Sequence, residues 1–96
     1  MTYYRIVVAY DGTNYHGWQV QPSATTISGV LMHAFKVVFL KEIHILGASR
    51  TDAGVHALGQ VAIVQSPINL DPEIMRRAWS KAIPSDIVIQ KIKIYC

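Results

Sequence analysis

Arg50 and Asp52 are the residues most suited to chemistry in this 96-residue chain. They lie two apart in the segment GASRTDAGVHALGQV, Gly47 to Val61, where small residues crowd around one cation and one anion. In an extended segment they project to the same side. A neighbouring guanidinium favours the ionised carboxylate, so Asp52 is available as a nucleophile or a base, and small neighbours let a substrate approach the backbone. The same residues also fit a plain turn, with Asp52 capping backbone amides and Arg50 a surface cation.

A second polar stretch, DGTNYHGWQVQPSAT, runs from Asp11 to Thr25. Tyr15, His16 and Trp18 could stack on exposed bases, while Asn14, Gln19 and Gln21 could bond to sugar or phosphate. Trp18 could equally pin the loop to the sheet. The four histidines, His16, His33, His44 and His56, form no HxH or HxxxH pair, and zinc needs three or four close ligands. No metal is expected. His33 reads as a helix-surface residue and His44 as a strand-surface one. Nucleophile-elbow, Walker and GxGxxG patterns are absent from the sequence.

These segments must be held by regular elements, and the pattern supplies them. From Tyr4 to Tyr10, Tyr4, Ile6, Val8 and Tyr10 share one face of a first strand. Ile27, Val30, Leu31, Ala34, Phe35 and Val38 form one stripe of a helix, with Thr25 or Thr26 as N-cap. Gly29 suggests close packing there. Ile43 to Ala48 and Ala57 to Gln65 read as strands. Asp71 as N-cap, Pro72 at the first helical position and Pro84 past the end bracket a second helix, whose buried stripe is Met75, Ala78, Trp79 and Ala82. Ile87 to Tyr95 is the last strand, with Ile92 and Ile94 inward. The order β-α-β-β-α-β predicts a ferredoxin-like α+β fold, an antiparallel sheet with two helices on one face, in one domain spanning residues 1–96.

Composition sets the bounds. Hydrophobic residues are 51% and charged residues 16% of the chain, a globular balance that excludes disorder. Nine Lys and Arg against six Asp and Glu give a net charge of +3, a mild bias toward polyanions that an ordinary solvated surface would also show. Cys96 is the single cysteine, so an internal disulfide and a cysteine metal site are excluded and the cytoplasm is the expected compartment. No apolar run approaches the roughly 20 residues that span a bilayer, and no membrane partner is expected.

YDGTNYHGWQVQ (Tyr10 to Gln21) and GASRTDAGVHALGQV resemble, in order and spacing, the two signature segments of the amino-terminal half of TruA-type tRNA pseudouridine synthases. RTDAGVHA matches over eight consecutive positions. Ile83-Pro84-Ser85-Asp86-Ile87 resembles the family's turn into its next strand. The chain departs from the family pattern at Ile27-Ser28 and near Ser80, which are helix positions.

The resemblance implies isomerisation of uridine to pseudouridine in the tRNA anticodon stem-loop. Asp52 would be the catalytic aspartate, and Arg50 would pair with it and help hold the target nucleotide out of the stack. Thr51 and His56 share that matched segment and are expected beside the RNA, as are Asn14, Tyr15, Gln19 and Gln21. Extruding a base costs a few kcal/mol, which a planar cation can offset by stacking and phosphate binding. The aspartate could attack the sugar, attack the uracil ring or remove a sugar proton. No cofactor or metal is implied, because electrons are only redistributed within one nucleoside.

The family's whole enzyme has a second half, so this chain is expected to be incomplete and inactive alone. Its partners would be tRNA and a second copy in a homodimer, and the free edge of its last strand would favour self-association. Two rivals share the architecture. A non-catalytic RNA-recognition module would carry stacking aromatics on its third strand, where GQVAIVQS has none. A small-molecule regulatory domain would have little use for Arg-Thr-Asp among glycines.

Overall fold

The computed structural model describes residues 1–18, 25–46 and 57–95. In chain order it contains β1 (Thr2–Tyr10), α1 (Ile27–Phe39), β2 (His44–Leu46), β3 (Ala57–Ser66), α2 (Pro72–Ser80) and β4 (Ile87–Ile94), with a 3₁₀ turn at Gly12–Asn14. The four strands form one antiparallel sheet in the order β2-β3-β1-β4. This is the ferredoxin-like arrangement expected from the element order.

β1 lies in the interior of the sheet because its β-branched and aromatic residues alternate. Tyr4, Ile6, Val8 and Tyr10 are all buried, and they meet Val64, Ala62, Gln60 and Ala57 of β3 on one side and Ile94, Ile92, Ile89 and Ile87 of β4 on the other. Irregularities after Val7 against β4 and after Val8 against β3 break the regular register near the Tyr10 end of the sheet, as bulges do where a strand is re-aimed.

Both helices cover the face carrying those residues. Thr26 is the N-cap of α1, its hydroxyl accepting from the Gly29 amide at 3.2 Å, and Ile27, Leu31, Ala34 and Phe35 are buried. Gly29 itself is half-buried and sits in the wall of a surface cleft. The helix closes on Leu40, a non-glycine residue in the left-handed region with φ 59°.

Asp71 caps α2, its carboxylate accepting from the amides of Glu73 and Ile74 at 3.1 and 3.3 Å, and Pro72 takes the first turn. Trp79 ties the two helices together. Its ring meets Phe35 edge-on at 5.2 Å, and its indole N–H donates to the Leu31 carbonyl at 2.9 Å, satisfying the polar edge of a wholly buried side chain. Burial along β4 fades toward its end, where Ile92 is half-buried and Ile94 is exposed although both lie on the helix-covered side.

Candidate functional site

One described residue of each polar segment is paired with the other at one end of the sheet. Tyr10, the last residue of β1 and the first of YDGTNYHGWQVQ, pairs with Ala57, the first residue of β3 and the last of RTDAGVHA. That register follows from the alternation of β1, whose buried set must face the helices. Asp52 is five residues before Ala57 in the chain. Asp52, Arg50, Thr51 and His56 lie outside the described residues, as do Gln19 and Gln21.

Of the expected contact residues, Asn14 and Tyr15 are described. Asn14 closes the 3₁₀ turn and is exposed. The turn starts at Asp11, whose carboxylate accepts from the Thr13 amide at 3.0 Å and from the Thr13 hydroxyl at 2.6 Å. Tyr15 is only 7% exposed, so this arrangement uses its ring as an anchor and does not offer it to a base. Its hydroxyl donates to Asp86 Oδ1 at 2.6 Å. Burial first, then the hydrogen bond and charge of Asp86, raise the Tyr15 phenol above its ordinary range.

Trp18 is buried and stacks on Tyr10 with ring centroids 6.0 Å apart. Of the two roles open to it, anchoring is the one the structure displays. His16 is exposed, and its amide donates to the Thr25 carbonyl at 2.8 Å. His33 and His44 are surface residues beside a cleft formed by α1 and the start of β2. Among the described residues no three His, Cys, Asp or Glu side chains gather as metal ligands, and no helix is long and apolar enough to cross a membrane.

Reasoning from sequence missed Asp86. The residue reads as part of a turn, and nothing in its spacing announces a partner 71 positions away. It also missed the face of the sheet that the helices leave uncovered. Arg5 lies opposite Lys93 and Val7 opposite Lys91, on the side away from buried Tyr4, Ile6 and Val8. The described strand residues include no Asp or Glu, and their Lys and Arg residues are Arg5, Lys91 and Lys93. Around these cations lie Val61, Ile63 and Val7, with Leu58 and Val88 exposed at the Tyr10 end. The cations of Arg5, Lys91 and Lys93 on this face suit a polyanion.

Together these features describe a ferredoxin-like α+β domain whose described strand residues carry only cationic charge. A family model described as tRNA pseudouridine synthase matches residues 6–95, and the chain belongs to that family. It is 49% identical over 88 residues to tRNA pseudouridine synthase A of a Thermoanaerobacter strain, covering 92% of this chain and 36% of that protein. It is 46% identical over 95 residues to the protein of the same name from Lacticaseibacillus casei, covering 98% and 38%. For the Thermodesulfovibrio yellowstonii protein the identity is 42% over 89 residues, covering 93% and 35%. The chain thus spans just over a third of the length of these curated relatives.

Proposed function

We propose that residues 1–96 form a single domain, the amino-terminal, aspartate-bearing part of a tRNA pseudouridine synthase acting on uridines of the anticodon stem-loop. The observation that carries this reading is the pairing of Tyr10 with Ala57. It joins one residue of each of the two segments that resemble the family's signatures, in a sheet whose described strand residues carry charge only as Arg5, Lys91 and Lys93.

In this reading the target nucleotide is extruded toward the 50–57 segment. The bond between ribose C1′ and uracil N1 breaks, the base turns, and C1′ bonds to C5. C5 gives up its proton and N1 gains one, so the composition is unchanged and neither oxidant nor cofactor is consumed. Asp52 supplies the carboxylate for glycosidic-bond exchange, in one of the three roles its chemistry allows. Arg50 pairs with Asp52 and helps hold the target nucleotide out of the stack, where a planar cation can stack and bond to phosphate. Thr51 and His56 contact the RNA from the same segment. Asn14, Gln19 and Gln21 contact RNA from the first loop, and Tyr15 sets that loop's position.

The cationic sheet face supports the tRNA assignment through backbone contacts, which position the substrate without reading its sequence. A homodimer, working in the cytoplasm, completes the proposal. Since the chain covers just over a third of its relatives, the remaining pocket groups come from the rest of the protein and the isolated chain forms no pseudouridine.

The test is pseudouridine formation in tRNA by the full-length protein and its Asp52→Ala variant, with tRNA binding measured alongside. Loss of product with binding retained is expected. Undiminished turnover by Asp52→Ala would refute the assignment, and product formation by the purified 96-residue chain would refute the need for the remainder.

A further inference from the structure

The loop after β1 is held from two directions. At its start the Asp11 amide donates to the Asp86 carbonyl at 2.9 Å, and four residues later the Tyr15 hydroxyl donates to the Asp86 carboxylate at 2.6 Å. Asp86 therefore grips both sides of the Gly12–Asn14 turn, once with its backbone and once with its side chain. At the far end the loop is tied to the start of α1. The Ile27 amide donates to the Gly17 carbonyl at 3.0 Å, and the Ser28 amide and hydroxyl both donate to the Trp18 carbonyl.

Asp86 is also part of a cleft of about 500 Å³ at the head of the sheet. Tyr10, Asp11, Leu58 and Val88 are among its other walls. Leu58 follows Ala57, where the segment carrying Asp52 joins β3. A shift of the first loop therefore moves the Asp11 wall of this cleft relative to Leu58 and the start of β3. A half-buried carboxylate is a costly anchor for a loop, because its desolvation must be offset by strong bonds. A charge-assisted phenol contact supplies one, with directional restraint that apolar packing lacks.

We infer that Tyr15 and Asp86 are a positioning pair: their hydrogen bond sets the 11–18 loop at the wall of this cleft and governs the rate of the chemical step more than affinity for tRNA. The inference rests on the proposed function above. Neither side chain need touch the reacting atoms. Misplacement of about 1 Å by a remote group can cost on the order of a hundredfold in rate, so a tether at the cleft wall has leverage over turnover.

The experiment compares wild-type full-length protein with Tyr15→Phe, Asp86→Ala and Asp86→Asn under single-turnover and steady-state conditions. The folded fraction at the assay temperature is measured by circular dichroism. Per folded molecule, Tyr15→Phe and Asp86→Ala should lower kcat by about tenfold or more and leave the tRNA KM within about twofold. Asp86→Asn keeps an oxygen acceptor and should recover most of that loss.

Unchanged kcat in Tyr15→Phe and Asp86→Ala, a rise in KM alone, or a loss accounted for wholly by unfolding would overturn the pairing while wild-type activity left the functional reading intact. A wild-type protein that formed no pseudouridine would overturn that reading, and this inference with it.

Discussion

The Tyr4 hydroxyl and the Leu70 backbone exchange two hydrogen bonds, Tyr4 donating to the Leu70 carbonyl and accepting from the Leu70 amide, each at 2.9 Å. Tyr4 is wholly buried in β1 and Leu70 directly precedes the Asp71 cap of α2, so one phenol decides where the second helix starts. Tyr4→Phe leaves both Leu70 groups without this partner and should destabilise the fold by about 2 kcal/mol. Urea unfolding of the 96-residue chain checks this, and an unchanged midpoint would remove the Tyr4 hydroxyl from the list of stabilising contacts.

Tyr15 predicts a pH dependence of known sign. Its phenol ionises at higher pH folded than unfolded, from an ordinary value of 10.0, through burial and the Asp86 carboxylate. The folded chain therefore holds this proton more tightly. The stabilisation is complete below about pH 10 and declines as pH rises beyond it. Thermal midpoints from pH 8 to 11 should fall more steeply in wild type than in Tyr15→Phe. Parallel curves would contradict the burial of an ionisable phenol.

At Leu40 the helix ends in a conformation that costs a residue with a Cβ roughly 1–2 kcal/mol. The side chain is 81% exposed, and the amide donates to the Lys36 carbonyl at 2.9 Å, so little packing is lost on truncation. Leu40→Gly should raise stability by about 0.5–1 kcal/mol after the extra freedom of glycine in the unfolded chain is subtracted. A lower denaturation midpoint for this variant would count against the left-handed cap.

If the open sheet face meets tRNA, Arg5, Lys91 and Lys93 contribute to the salt dependence of binding. Replacing all three with Gln in the full-length protein should flatten the slope of log affinity against log salt by about 0.7–0.9 per lost phosphate contact. Filter binding at several salt concentrations would measure it. An unaltered slope would separate this face from the RNA.

Much of the fold was legible because each element repeats a simple period. The alternation of Tyr4 to Tyr10 gave the buried face of β1, and Asp71-Pro72 marked the start of α2 where it occurs. Thr26, one of two candidate caps for α1, was selected by its bond to Gly29. The loop anchors were not legible. Tyr15 sits among polar neighbours that suggest exposure, and its burial depends on Asp86, far along the chain. Lys91 and Lys93 share a face by strand alternation alone, whereas Arg5, far away in sequence, joins them only through the pairing of β1 with β4. Of the candidate site, the resemblance singled out Asp52 and Arg50, and the strand register pairs Tyr10 of one signature segment with Ala57 of the other.

β1 precedes β3 and β4 in the chain, and Tyr4 pairs with Val64 of one and Ile94 of the other. On the ribosome its second edge must stay unpaired until β4 has been released from the exit tunnel, leaving that edge exposed. Such long-range closure slows folding. A translational pause before β4 would prolong that exposure, whereas one placed well beyond it would give the sheet time to close.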